Sequence, residues 1–258
     1  MRGCEILKSS QGLVYPSVTG DIKGYVIGDI HGRSDLLGRL HNKIDATLRT
    51  KQASTVEIYL GDYVDRGPDS AGVIDRLIKR AKTNRIILLR GNHEVMFERF
   101  LNEKLDLMHW ARNGGMDTLH SYGVDVRELK EKTRAEAVSA VRSRVPADHR
   151  AFLNSLCDSF SLGSYFFAHA GIRPGVSLEA QKPEDLHWIR SDFINDDRDH
   201  GAIVVHGHTP TEVPEFLPNR INIDTGAYMT GRLTCLEIDN WGLRLFTGED
   251  GLNPENSR

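Results

Sequence analysis

A chain of 258 residues, 39% hydrophobic and 27% charged, has the make-up of an ordinary globular protein and the length of one large α/β domain. Its formal net charge of -3 argues against a nucleic-acid binder driven by bulk electrostatics. No apolar run approaches the roughly 20 residues that span a bilayer, and residues 1–20 lack the apolar core of a signal peptide, so no membrane association and a cytoplasmic location are expected. Cys4, Cys157 and Cys235 are odd in number and form no C-x-x-C pair, which reads as reduced thiols packed as small hydrophobes.

Along the first half, one pattern occurs three times: an apolar run, a turn rich in Gly and Asp, then a helical stretch. Tyr25-Val26-Ile27 leads into Gly28-Asp29-Ile30-His31-Gly32, and a helix capped by Ser34 follows, with Leu36, Leu37, Leu40, Ile44 and Leu48 on one face. Val56 to Leu60 leads into Gly61-Asp62-Tyr63-Val64-Asp65-Arg66-Gly67-Pro68 and a helix carrying Val73, Ile74, Leu77, Ile78 and Ala81. Ile86 to Leu89 opens into Arg90-Gly91-Asn92-His93-Glu94 and a third helix. Asp29 and Asp62 are 33 positions apart, and Asp62 and Asn92 are 30 apart. Both spacings match a βαβ unit, so the three turns are expected side by side at the carboxyl edge of a parallel sheet, where ligands sit.

Residues 101 to 158 are charged and helical, broken by Asn113-Gly114-Gly115 and Pro146, and read as a helical insertion in a single domain spanning 1–258. Strands are expected again at Ser164 to Ala168, Ala202 to His206, Ile221 to Asp224, Leu233 to Ile238 and Leu243 to Phe246. Short turns between the last three suggest hairpins and a second, partly antiparallel sheet. The expected whole is an α/β sandwich of two mixed β-sheets flanked by α-helices, with a frayed tail from Glu249 to Arg258.

The strand ends supply Asp29, His31, Asp62, Asn92, His93, His169 and His208. Carboxylate, imidazole and amide oxygen together suit borderline divalent ions, and the lack of thiolate argues against a structural zinc site. A single Asp can bridge two ions at the separation used to activate water. Glycines beside these residues let the backbone turn sharply and approach ions and phosphate.

The motifs G-D-I-H-G, G-D-Y-V-D-R-G, R-G-N-H-E, H-A-G and G-H-T-P, in this order, resemble the phosphoprotein phosphatases of the calcineurin-like metallophosphoesterase superfamily. The likeness spans about residues 24 to 240. Ile223-Asp224-Thr225-Gly226-Ala227 is similar to the bacterial and phage-lambda-like members rather than to the eukaryotic A-P-N-Y segment. The resemblance implies two divalent metal ions, manganese in vitro and iron or zinc as options in the cell. It places Asp29, His31 and Asp62 on the first ion, and Asp62, Asn92, His169 and His208 on the second. His93 would be the general acid, with Asp65 fixing its ring, and Arg66, Arg90 and Arg190 would bind phosphate. The implied activity is hydrolysis of phosphoserine and phosphothreonine monoesters, with phosphotyrosine as a further option, in phosphoprotein or phosphopeptide substrates. A metal-bridging hydroxide would be the nucleophile. No C-x5-R signature of a cysteine phosphatase is present.

Two other readings compete. A dinucleoside polyphosphate hydrolase, similar to the symmetrical tetraphosphatases, is a close relative in which the position after G-D-x-V is typically not Asp, so Asp65-Arg66-Gly67 favours the phosphomonoesterase. A non-catalytic scaffold needs a damaged site, yet every expected ligand is present. His41, His109, His120, His149 and His200 belong to no motif and read as structural or solvated. The basic stretch Arg76, Lys79, Arg80, Lys82, Arg85 reads as a solvated helix face. His206 lacks the context of the ligand motif and reads as a group behind the ligands.

Overall fold

Residues 15–16, 22–48, 54–129 and 131–248 are described by the structure, a computed structural model. Strands β1 (Ile22–Ile27), β2 (Ser54–Tyr59) and β3 (Ile86–Leu88) run parallel. Their connections are helices α1 (Ser34–Leu48) and α2 (Ser70–Ala81). Successive strand side chains point to opposite faces, so Tyr25 and Ile27 join the core under the helices while Val26 faces the other way, into the core between the sheets. The amphipathic face read for α1 and α2 is buried as expected: Leu36, Leu37, Leu40, Val73, Ile74 and Leu77 are essentially inaccessible. Ser34 donates to the Asp69 carboxylate, which also accepts the Gly72 N–H at 2.9 Å, so one Asp ties the starts of both helices together.

The second sheet takes β4 (Ser159–Leu162), β5 (Tyr165–Ala168), β6 (Ile203–His206), β7 (Glu215–Phe216) and β8 (Arg220–Asn222) in the order β4-β5-β6-β8-β7. Here too period-2 alternation divides the layers. Tyr165 and Phe167 meet Ile58 and Leu60 of the first sheet, and Phe166 and Ala168 turn outward onto Leu186 and Phe193. The expected two-sheet sandwich is therefore present, with one reassignment. The hairpin β9 (Thr234–Asp239) and β10 (Gly242–Thr247) belongs to the first sheet, ordered β10-β9-β1-β2-β3. The chain crosses from one sheet to the other through a short helix, Ala227–Thr230, flanked by Gly226 and Gly231 at φ 64° and 70°. Strand β8 consequently makes no hairpin with β9; it lies parallel to β6.

The stretch after helix α3 (Asn92–Leu101) is helical as expected: α4 (Leu107–Trp110), α5 (Met116–Ser121), α6 (Arg134–Arg144) and α7 (Ala147–Asn154). Asn113-Gly114-Gly115 breaks the helical run as expected, at Gly114, whose φ of 103° is not helical. Trp110 stacks on both Phe97 and Phe100, at 4.9 Å each, which docks the insertion on α3. Arg80 departs from the solvated face expected for it: it pairs with buried Glu57 and with Asp45, at 2.7 Å each. A carboxylate inside β2 requires such a partner. Cys235 is buried but Cys157 is exposed, contrary to expectation, and Cys4 and the tail lie outside the described residues. Among the described residues, no helix is long and apolar enough to cross a membrane.

Candidate metal centre

Because β1, β2 and β3 are parallel neighbours, the turns after them interlock. His31 and Ile30 donate their N–H groups to Asp62 O at 2.7 and 3.1 Å, and Gly32 donates to Tyr63 O at 2.9 Å. Glu94, the first-turn acid of α3, collects the N–H groups of Asp62, Tyr63, Val64 and Gly91 at 2.7–3.2 Å. Gly67 is required by close approach, since a Cβ there would lie 1.9 Å from His31 O. His31, Asp62, Asp65, Arg66 and His208 all have positive φ, a conformation that non-glycine residues rarely adopt and that clusters at functional sites.

Two groups of ligand-type atoms converge, each within 4.8 Å: His31, Asp62 and His93, and Asp62, His169 and His208. Asp62 is common to both. Its Oδ2 lies 3.3 Å from His31 Nε2 and its Oδ1 3.3 Å from His169 Nε2. Asn92 Oδ1 sits 2.9 Å from His169 Nε2 and 2.8 Å from His208 Nδ1. The other nitrogens of two rings are already committed: His31 Nδ1 meets Val64 O and His169 Nδ1 meets Leu60 O, both at 2.9 Å. Those bonds fix the tautomer that leaves Nε2 with a lone pair, as in known metal sites. Asp29 is placed beside these groups, its Oδ2 accepting the His208 N–H at 3.0 Å. Asp29 Oδ1 and His208 Nε2 are buried without a hydrogen-bond partner. Buried orphan lone pairs amid oxygen and nitrogen donors are what a cation-binding centre requires. The residues present therefore fit divalent metal ions.

Electrostatics divide the histidines. Burial pushes His31 down to about 3, His169 to about 4 and His208 to about 2, so all three are neutral, the ligand form. His93 goes the other way: burial opposes its charge, but the carboxylates of Asp62 and Asp65 outweigh burial and hold it above its usual value. Its Nδ1 is 2.7 Å from Asp65 Oδ2. Environments that push like groups apart mark ligands on one side and an acid on the other. Asp29 is raised by burial and then by the charges of Asp224 and Asp62.

The three arginines separate. Half-exposed Arg66 donates to Tyr228 Oη at 3.3 Å and lies over that ring at 5.0 Å, while Tyr228 meets the His31 ring edge-on at 5.2 Å. Exposed Arg190 reaches His208 O and Thr209 Oγ1, both at 3.4 Å. Arg90, also expected on phosphate, has other partners here. Its guanidinium is taken up by Glu98 and by the carbonyls of Leu153 and Leu156 at 3.2 and 3.5 Å, where α3 meets the end of α7. His206 is buried against Phe193 and belongs to neither group. Sequence reasoning assigned no role to Glu94 or Asp224, although both stand in quoted motifs, and it missed Trp110 and Thr118, which bond to Asp65 from the insertion. Asp224, pushed up to about 6 mainly by burial, ends a strand of the second sheet much as Asp29 ends β1.

Comparison with known proteins completes the picture. The family model for calcineurin-like phosphoesterases matches residues 22–239. The bis(5'-nucleosyl)-tetraphosphatase PrpE [asymmetrical] of Anoxybacillus flavithermus is 28% identical over 82% of this chain and 88% of its own. The serine/threonine-protein phosphatase 1 of Salmonella typhimurium is 31% identical over 83% of this chain and 91% of its own. A crystal structure of a protein provisionally described as a diadenosine tetraphosphatase superposes with a TM-score of 0.59, at 24% identity, covering 92% and 97% of the two chains, a likeness of fold.

The expectation of a protein phosphatase is overturned by the tetraphosphatase relatives, whose name is also that of the Bacillus subtilis and Halalkalibacterium halodurans proteins. The physical reason lies in Asp65, on which that expectation rested. Its side chain is fully buried and its carboxylate is consumed by His93, Trp110 and Thr118, so it cannot sense which phosphate compound is bound. The chain, with two groups of residues that could hold metal ions and a family match across both sheets, belongs to the calcineurin-like phosphoesterases.

Proposed function

We propose that this chain hydrolyses dinucleoside polyphosphates, breaking one phosphoanhydride bond of the tetraphosphate chain unsymmetrically, as the PrpE relatives are named to do. The observation that carries this is the similarity to those relatives across most of both chains. The site agrees with it: Arg66 stands near His31 of one ligand group and Arg190 beside His208 of the other, so more than one cationic fork is at hand. An extended polyanion uses both forks, whereas a single phosphoryl group spans a few ångströms.

In this reading, Asp29, His31 and Asp62 would hold one divalent ion and Asp62, Asn92, His169 and His208 a second, with manganese the first to try. Such ions, when bound, supply Lewis acidity and lower the pKa of water. The residues of the chain do the rest. His93 gives the proton from Nε2 to the departing phosphate oxygen while Asp65 holds its Nδ1–H. Arg66 and Arg190 bind non-bridging oxygens.

The test is a side-by-side assay of manganese-supplemented protein on diadenosine tetraphosphate and on phosphoserine and phosphothreonine peptides, with products resolved by anion exchange. ATP plus AMP is expected, with kcat/KM above that for the peptides. Two ADP would overturn the cleavage position, and preference for the peptides would overturn the substrate class.

A further inference from the structure

The helical insertion meets the residues of the metal centre through the segment Trp110 to Thr118, which bonds to Asp65, Arg66 and Ser70. Asp65 and Arg66 are consecutive, and both hold φ at 69°. L residues rarely adopt that conformation, so two in succession need outside support. The Asp65 N–H donates to Thr118 Oγ1 at 2.8 Å and to Ser70 Oγ at 3.0 Å, and the Arg66 N–H donates to Gly114 O at 3.1 Å.

The carboxylate of Asp65 is gripped from the same side. Trp110 Nε1–H lies 3.1 and 3.0 Å from its two oxygens, and Thr118 Oγ1–H donates to Oδ1 at 2.7 Å. These donors hold the plane in which Oδ2 meets His93 Nδ1. Trp110 cannot swing away: it is fully buried, with Phe97 and Phe100 each stacked on it. Contact at Arg66 is equally close. A Cβ on Gly114 would lie 2.8 Å from Arg66 N and 2.7 Å from its Cγ.

We propose that the Trp110–Thr118 segment is a positioning clamp with two separable outputs: through Asp65 it orients the His93 ring for proton transfer, and through Gly114 it sets where Arg66 presents its guanidinium. The insertion is thereby part of the reaction machinery and not only a cover over it. The inference rests on the acid role of His93 and is independent of which phosphate compound is the substrate.

Trp110→Phe keeps the stacked ring and removes the N–H; Thr118→Val keeps the shape and removes the hydroxyl; Thr118→Ser restores it. Both loss variants should retain metal content and KM but lose about 10–100-fold in kcat, the range for partners behind a site. The loss should shrink as the leaving group becomes more acidic across a series of substituted phenyl phosphates, and Thr118→Ser should recover most of it. Gly114→Ala should show the opposite split, raising KM and weakening inhibition by inorganic phosphate.

A readout free of turnover uses proton NMR. Exchange of the His93 Nδ1–H with water should be faster in Thr118→Val than in wild type and slow again in Thr118→Ser. Unchanged exchange in Thr118→Val overturns the clamp. So do losses equal across the leaving-group series, or failure of Thr118→Ser to recover. Failure of diadenosine tetraphosphate turnover would count only against the substrate proposed above, because neither exchange nor the aryl series depends on it.

Discussion

Asp62→Asn gives the sharpest test of a ligand shared between the two groups. Asp62 Oδ2 faces His31 Nε2 at 3.3 Å, while Oδ1 faces His169 Nε2 at 3.3 Å and also accepts the His93 backbone N–H at 3.1 Å. Asparagine keeps the shape but must choose where its oxygen goes. The His93 N–H is a fixed donor, so the amide oxygen takes the Oδ1 place and the NH₂ takes the Oδ2 place, aimed at His31. One group then loses a ligand atom and gains a donor; the other keeps an oxygen and loses a charge. Outer partners of metal ligands are worth about 10–100-fold in affinity, and a direct ligand should exceed that. The ion beside His31 should weaken by more than about 100-fold, or about 2.8 kcal/mol, and the ion beside His169 by roughly 10-fold. Folding should be little affected, since Asn tolerates the positive φ of 51° found here. Titration calorimetry with manganese, alongside metal content after desalting, measures both affinities. Retention of both ions at wild-type affinity, or selective loss of the ion beside His169, would refute the reasoning.

Two further outcomes concern Arg90 and His41. Arg90→Met should lower stability by about 1.5–3 kcal/mol, the worth of a hydrogen bond to a charged group, by releasing Glu98 and the end of α7, with KM unchanged; a raised KM at wild-type stability would return Arg90 to the phosphate site. His41 is pushed from 6.5 down to about 4, chiefly by burial, so in the window between those values the unfolded chain binds the extra proton. Its stabilising contribution is complete above the upper value and is lost as pH falls through the window, at up to about 1.4 kcal/mol per pH unit. Urea melts of metal-free wild type and His41→Gln should therefore converge on acidification, and a difference independent of pH would refute this.

Local pattern and chain spacing carried much of the fold. The βαβ spacing from Asp29 to Asp62 to Asn92 predicted three adjacent turns, and the interlocked N–H groups of Ile30, His31 and Gly32 are that adjacency. The placement of β9 was not legible, because a hairpin signal is local whereas the pairing of Gly24 with Ile238 joins residues from opposite ends of the chain. The partners of Arg90 were not legible for a related reason. Its motif specifies residue type, but Glu98, eight positions on and reached along α3, decides where the guanidinium points. Trp110 and Thr118 gave no signal at all, since an indole N–H in a helical stretch reads as core until its partner is known. Asp224 was visible in the sequence, yet a lone carboxylate after a strand carries meaning only once Asp29 is found beside it.

Substrate choice was misread because the residues that make the chemistry distinctive are the least able to recognise a substrate. Asp65, Glu94 and His93 are at most 1% exposed; Glu94 is taken up by the backbone N–H groups of neighbouring turns, and Asp65 by the His93 ring and the insertion. Such residues hold a phosphorus-centred reaction in place whatever is attached to the phosphorus. Recognition must come from groups that solvent can reach: half-exposed Arg66 and Tyr228 near His31, exposed Arg190 beside His208. These lie at a helix start, in a glycine-flanked turn and beside a motif, and only Arg66 is fixed by the motif itself. A reading built on motif residues therefore arrives at metallophosphoesterase chemistry and stops there. Whether the arginines admit an extended polyanion is a property of the distance and direction between Arg66 and Arg190, which 123 intervening positions of sequence leave open and the fold alone determines.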